Sequence, residues 1–300
     1  MKFNISLFVF VLFNVLQLSS QIVNIPDLNF KNKIIQLGFD LNNDNEIQQS
    51  EALQVDTISI LSGSITSLVG IEEFTNLRYF STQMNTIGSV DFSRNTLLEY
   101  LDCSYTNIIT LDISKNTKLK TLICSFNSKL LSLDLSSNAE LENLSMTYTP
   151  IKSISLFNNL KIKQLRVYGV QLEQIDLSHN SELERLTLTY TNLSNLDVSS
   201  NNKLTYLNCQ YNNYLGVVCL NSNQMSLISY NHSNWIKDSE TNWSTTCNNG
   251  TTEIESLTVN PEIVKVFNFM GGEVSINNLK SGIFIILFSD GTSRRISINK

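Results

Sequence analysis

A side-chain register that returns every 21 residues constrains this chain more than any other feature. It runs over residues 76–224 and lengthens to 22 in the units beginning at Lys118 and Lys203. The unit reads LLEYLDCSYTNIITLDISKNT from Leu97 and ELERLTLTYTNLSNLDVSSNN from Glu182. One apolar ladder is Leu77, Leu98, Leu119, Leu141, Ile162, Leu183 and Leu204; another is Phe80, Leu101, Leu122, Leu144, Leu165, Leu186 and Leu207. Two more start at Ile87 and Val90 and end at Leu215 and Val218. An asparagine closes each unit: Asn95, Asn116, Asn138, Asn159, Asn180, Asn201 and Asn223. A unit this short cannot bury its own apolar side, so successive units must stack and share a core along one axis. The run Leu186-Thr187-Leu188 sends two side chains inward and one outward, as a strand does, and each coil adds about 4.8 Å. Asparagine at one turn, and threonine at the other in some coils (Thr106, Thr149, Thr191), suit buried turns whose backbone groups need partners. No run of helical period interrupts the repeats, so their outer side is expected to be extended or irregular.

The pattern L-x-x-L-x-L-x-x-N resembles the leucine-rich repeat. More narrowly it is similar to the short bacterial class whose units carry two like halves, the second reading L-D-L/I/V-S-x-N. The resemblance implies a mainly β fold: a leucine-rich-repeat solenoid of short coils over residues 55–224, with a small helical N-terminal cap and a small C-terminal β module. Residues 55–75 carry the register half-formed, at Val55, Ile58, Ile60, Ile65 and Leu68, as a terminal unit with one neighbour should.

Residues 1–20 read as a signal peptide, with Met1-Lys2 as the positive start, ISLFVFVLFNVL as the apolar run and LSS before Gln21 for cleavage. The run is short for a membrane span, and the alternative is an uncleaved anchor. Residues 21–54 form the cap. Phe30, Ile34 and Leu37 share one face of a short helix that Gly38 stops. The stretch DLNNDNEIQQSE (residues 40–51) resembles an EF-hand calcium loop. That resemblance implies ligands at Asp40, Asn42 and Asp44, a backbone carbonyl at Glu46, and Glu51 closing bidentately, with Ile47 in the apolar position. Asn45 replaces the usual glycine, and asparagine tolerates the left-handed conformation best among the others. Calcium is expected as a structural clip; the alternative is a polar capping loop without metal.

Cys103, Cys124 and Cys209 share an inward ladder with Met146, Val167 and Leu188, and read as small buried apolar residues. Cys219 takes the outward place held in earlier coils by Asp91, Asp112, Asp134, Asp176 and Asp197. The only cysteine beyond the repeats is Cys247. In an exported protein the two are expected to bridge, contributing about 3–4 kcal/mol by loop closure. The intervening segment, with Trp235 and Trp243, is then expected to cover the last coil. Residues 225–255 thus read as C-terminal cap and linker, and similar closing elements occur in secreted leucine-rich proteins of the Bacteroidetes.

Residues 256–300 change character. Val264/Val266, Ile283/Ile285/Leu287 and Ile296/Ile298 alternate as strands, with Asp290-Gly291 as a hairpin turn. VKVFNFMGGEV, LKSGIFI and the terminal lysine resemble the C-terminal sorting domain of the type IX secretion system. Gly272 stands where Gln or Lys is usual, and the leading strand is reduced to Val259-Asn260-Pro261. The resemblance implies export to the outer surface or the medium, with that machinery as a partner. The alternative is a small β module that only caps or links.

A net charge of −6 argues against nucleic acid and against an anionic membrane surface, both of which need a basic face. The two histidines, His179 and His232, lack metal-ligand spacing or a nucleophile motif, and a ladder of like-charged aspartates reads as a solvated face, so no enzyme is expected. Met84, Tyr105, Phe126, Tyr148, Tyr190 and Tyr211 recur at one place in successive coils, interrupted by Gly169. Of these, Tyr105, Phe126, Tyr148, Tyr190 and Tyr211 are the candidate ligand-binding residues, because recognition surfaces are rich in aromatics. The expected function is binding of another protein or a glycan at the surface. Two alternatives stand beside it: rings that merely stack to stabilise the coils, and a structural surface component without a ligand.

Overall fold

The computed structural model describes residues 21–230, 232–246, 263–268, 282–288 and 293–298. The chain divides into two compact units, Met1–Thr245 and Thr246–Lys300. In the first, nine strands pair in parallel into one sheet. They are β1 (Thr57–Leu61), β2 (Tyr79–Gln83), β3 (Tyr100–Asp102), β4 (Thr121–Ile123), β5 (Asn143–Thr147), β6 (Gln164–Tyr168), β7 (Arg185–Thr189), β9 (Tyr206–Asn208) and β11 (Trp235–Ile236). Adjacent strands are one coil apart, so Phe80, Leu101, Leu122, Leu144, Leu165, Leu186 and Leu207 stand in register across the sheet. All seven are buried. This is a mainly β solenoid of leucine-rich-repeat type. A second parallel sheet, ordered β12-β10-β8, forms on the return half of the last coils from β8 (Asn195–Asp197), β10 (Val217–Cys219) and β12 (Asn242–Ser244).

The turns explain why the ladders repeat. Each closing asparagine is fully buried, and its amide N–H groups donate to two carbonyls of the preceding coil. Asn159 donates to Leu135 O at 3.1 Å and to Asn138 O at 2.8 Å, and Asn180 and Asn201 repeat the pattern. The last rung differs from expectation. Asn223 is exposed, and Gln224 donates instead to Val198 O and Asn201 O, at 2.8 and 3.0 Å. At that point the chain has entered helix α3 (Ser222–Tyr230), which shifts the inward position by one residue; the longer amide bridges the difference. The opposite turn carries a second amide ladder that alternates with threonine. Asn127 Oδ1 accepts from the backbone N–H groups of Thr106 and Ile108, and Asn212 Oδ1 accepts from Thr191 N and Oγ1. The outward aspartates cap their own turns, Asp112 Oδ1 accepting from Ser114 N at 2.9 Å and Asp134 Oδ1 from Ser136 N at 2.9 Å.

The N-terminal end of the core is closed by helix α1 (Leu28–Gln36), whose Phe30 and Ile34 are buried, and by the short helix α2 (Gln49–Ala52), whose Glu51 and Ala52 are buried. Leu37, expected on that face, lies beyond the last helical turn and is 43% exposed. Asp27 fastens this cap. One oxygen caps α1 at Phe30 N, and the other accepts from Thr66 N, Thr66 Oγ1 and Ser67 N. Gly70 (φ 103°) is required nearby, because a Cβ there would lie 2.8 Å from Asn24 O. At the opposite end Trp235 takes the register place above Leu207, and Trp243 the one beside Val218. The two rings meet edge to face at 6.3 Å, so the tryptophans cover the last coil as the sequence suggested. The second unit contains an antiparallel sheet of β13 (Ile263–Asn268), β14 (Gly282–Phe288) and β15 (Ser293–Ile298). Its strands fall where the alternation placed them. Residues 1–20, read as a signal peptide from the sequence, Gly272 and Asp290-Gly291 lie outside the described residues.

Candidate functional site

The aromatic row is built on an unusual backbone. Met84, Tyr105, Phe126, Tyr148, Gly169, Tyr190 and Tyr211 all have positive φ, between 47° and 63°. Each strand must turn sharply out of the sheet at this point, and the left-handed conformation achieves it in one residue. Its N–H is then free to bond the next coil: Tyr105 N donates to Ser125 O at 2.9 Å, and Tyr148 N to Tyr168 O at 2.8 Å. Only glycine takes this conformation without cost; for a bulky side chain it is strained by about 1–3 kcal/mol.

The rings form one continuous row. Tyr105 stacks on Phe126 at 4.0 Å, Phe126 meets Tyr148 at 5.2 Å, Tyr148 meets Tyr168 at 5.2 Å, Tyr168 meets Tyr190 at 5.1 Å, and Tyr190 stacks on Tyr211 at 4.5 Å. Gly169 therefore does not interrupt it. Tyr168, one residue earlier on β6, supplies the missing ring, and a Cβ at Gly169 would lie 2.6 Å from the ring of Tyr148. Tyr105, Tyr148, Tyr190 and Tyr211 remain 44–53% exposed. Tyr148's hydroxyl pKa is raised, chiefly by its hydrogen bond with Tyr168, and desolvation raises that of Tyr190, so both present neutral phenols.

Beside this row lies the outward face of the sheet. Its N-terminal part is closed upon itself: Tyr79 stacks on Tyr100 at 4.2 Å, and buried Asp102 accepts from Ser104 N, Ser104 Oγ and Gln83 Nε2. Its C-terminal part opens into a recess of about 460 Å³ lined by Gln164, Arg166, Tyr168, Arg185, Tyr206 and Tyr211, among others. The Arg185 guanidinium lies 4.3 Å over the Tyr206 ring. Along the flank, charges alternate coil by coil as Arg78, Glu99, Lys120, Glu142, Lys163 and Glu184. Ion pairs follow that order, at 2.7 Å (Arg78–Glu99), 2.6 Å (Lys120–Glu99) and 2.7 Å (Lys163–Glu142).

The loop over residues 40–51 takes the expected backbone, with Asn45 at φ 64° and Ile47 buried. Its oxygens bond the loop itself. Asp40 accepts from Asp44 N and Asn45 N, and Glu51 accepts from Leu41 N, Asn42 N and Gln48 N. Asp44 Oδ2 takes the amides of Asn42 and Gln48, at 3.0 and 2.7 Å, and the Glu46 side chain pairs with Lys31. Among the described residues no three acidic, histidine or cysteine side chains converge as a metal-binding group.

Cys103, Cys124 and Cys209 are buried free thiols, and burial pushes Cys124 and Cys209 up to about 12, which leaves them inert. Cys219 is disulfide-bonded. It lies in register with Asp197, as the repeat requires, yet is buried rather than outward in solvent, because β12 pairs alongside and sets Ser244 against it. Cys247 lies outside the described residues. His179 sits exposed, its Nδ1 3.0 Å from Ser178 Oγ and its ring 4.5 Å from Phe157.

No protein-family model matches the chain, and no curated protein does either. Among solved structures it is similar to three from Listeria monocytogenes. The functional domain of InlJ, described as including a cysteine ladder, is 22% identical over 66% of this chain and 58% of that one, with a TM-score of 0.41. Internalin C2 is 20% identical over 61% of this chain and 93% of that one, with a TM-score of 0.46. Internalin F is 18% identical over 75% and 96%, with a TM-score of 0.39. The chain thus spans 58% of the length of the first of these.

Proposed function

We propose that this is an exported, non-catalytic leucine-rich-repeat protein that holds another protein, or a glycan, on its sheet face and the aromatic edge beside it. The observation that carries this reading is the strained backbone under the rings. Each left-handed Tyr or Phe costs about 1–3 kcal/mol, while each ring pair returns about 0.5–1.5 kcal/mol. The strain takes up what the packing returns, so the row adds little to the fold, and Gly169 marks a coil that makes this turn without a ring at that position. Strained, half-exposed aromatics are instead what a recognition surface uses.

Three further features belong to the same proposal: export, a disulfide and a bound cation. The signal-like start and the sorting-domain motifs support export to the outer surface or the medium. Removing residues 263–300 is expected to leave the protein in the periplasm; equal distribution with and without them would refute the sorting role. Cys219 is proposed to bridge Cys247, and peptide mapping under non-reducing conditions tests the pair. The all-oxygen set of Asp40, Asn42, Asp44, Glu46 and Glu51 suits a hard cation such as calcium, which would displace the Asn42 and Gln48 amides from Asp44.

The binding reading is tested with Tyr148→Ala plus Tyr190→Ala in the mature protein, used as bait on surface extracts. It predicts loss of a partner that the parent protein captures, with melting lowered only modestly. Unchanged capture with a large fall in melting temperature would make the row a scaffold, as in a surface component without a specific ligand.

A further inference from the structure

The nine strands of the main sheet contain three charged residues, Asp102, Arg166 and Arg185. Asp102 is buried and its carboxylate is already hydrogen-bonded by Ser104 and Gln83. Among the described residues, the exposed charges carried by these strands are therefore two arginines, in a chain of net charge −6. Neither arginine makes an ion pair among the described residues, whereas Arg78, Arg94, Lys120, Lys161, Lys163 and Lys203 all do. Both line the recess.

From these observations we infer that the recess takes an extended acidic segment of a partner protein, with carboxylates at alternate positions seated on Arg166 and Arg185. The inference rests on the sheet face being the binding surface. The spacing favours a peptide. Arg185 stands in register with Gln164, and Arg166 with Thr187, so the two arginines are one strand and two residues apart. Strand geometry makes that about 8 Å between their Cα atoms. Alternate side chains of an extended chain project to the same side about 6.8 Å apart, within reach of both guanidinium groups. Each can grip a carboxylate through paired N–H donors. Tyr206, under Arg185, holds one guanidinium in place, and Thr187, Asn208 and Gln164 offer hydrogen bonds to the intervening backbone. Two cations on an otherwise acidic protein do not suit a nucleic acid, whose affinity comes from many phosphate contacts.

The experiment uses the mature protein and a fluorescent octapeptide of alternating Glu and Thr, followed by anisotropy at low and high salt. Comparators are the same peptide with Gln for Glu, a peptide with its glutamates in one block, and a sulfated oligosaccharide. The alternating peptide is expected to bind best and to weaken as salt rises. Arg166→Gln or Arg185→Gln is expected to reduce its affinity about fivefold to tenfold, while Arg78→Gln, on the neutralised flank, leaves it unchanged. Equal binding of the Gln peptide, or of both recess variants and Arg78→Gln, would overturn the proposal, as would tighter arginine-dependent binding of the oligosaccharide. Surface-extract capture separates it from the broader reading. If the arginine variants still capture a partner that the double tyrosine variant loses, the acidic-segment proposal falls and the binding face stands. If all variants capture alike, both fall.

Discussion

Replacing Tyr190 separates backbone strain from ring packing, because glycine and alanine remove the same ring but not the same strain. Tyr190 sits at φ 54° and touches Tyr168 and Tyr211, at 5.1 and 4.5 Å. Either substitution forfeits both contacts, about 1–3 kcal/mol together. Alanine keeps a Cβ in the left-handed region and so retains about 1–2 kcal/mol of strain. Glycine releases it but costs about 0.5–1 kcal/mol in added freedom of the unfolded chain. Tyr190→Gly should therefore be the more stable variant by roughly 0.5–1 kcal/mol, or about 1–4 °C in melting temperature for a unit of this size. At Arg166, mid-strand with ordinary backbone, the order should reverse, alanine exceeding glycine by a similar amount. Urea titration of the four variants, read by circular dichroism, gives the two differences directly. Alanine equal to or better than glycine at position 190 would refute the strain account, and with it the argument that the rings are not there for stability.

Other consequences can be measured on the same protein. Asn159→Ala removes two buried hydrogen bonds and leaves Leu135 O and Asn138 O with only their turn bonds from Asn138 N and Leu141 N, so a loss of about 1–3 kcal/mol is expected, whereas Asn158→Ala, whose bond to Ser136 O is exposed, should cost under about 0.5 kcal/mol. Asp112 and Asp134 have carboxyl pKa values held below the usual 3.8 by hydrogen bonds from Ser114 and Ser136. Because the folded values are lowered, the stability they confer is present above about pH 4 and is lost as pH falls through those values. Asp112→Asn with Asp134→Asn keeps the accepting oxygen but not the titration, so melting temperature should decline less steeply below pH 4 than in the parent protein. If calcium clips the N-terminal cap, chelator should lower the melting temperature, and Asp40→Ala with Glu51→Ala should abolish that dependence; no effect of chelator would leave the loop a polar cap.

What the sequence made legible was whatever repeats as side-chain identity. Leu77 to Leu204, Phe80 to Leu207, the buried thiols and the asparagine ladder from Asn95 to Asn201 all lie where their register puts them, since a 21-residue period leaves one way to stack. What it hid was set by backbone angle and by end effects. The left-handed column gave one signal, Gly169 standing in a file of tyrosines, and that was read as a gap because Tyr168 reaches the row from a neighbouring position. The second amide ladder escaped because Asn85, Asn127 and Asn212 alternate with threonine, so no single letter repeats. Gln224 replaces Asn223, and Cys219 is covered, where the repeat meets α3 and β12 and local periodicity no longer decides. The arginine recess was visible only as residues; that its charges stand unpaired depends on which neighbours the strands bring together.

The account's central claim is that partners engage the sheet face and its aromatic edge. Oxidative footprinting of tyrosines, with and without a captured partner, tests it within one molecule. Tyr105, Tyr148, Tyr190 and Tyr211 on the edge, and Tyr206 in the recess, should become protected. Tyr214 and Tyr230, which are 70% and 92% exposed and lie outside that row and recess, should be oxidised as before. Protection of Tyr214 or Tyr230 with the edge tyrosines unchanged would contradict the claim.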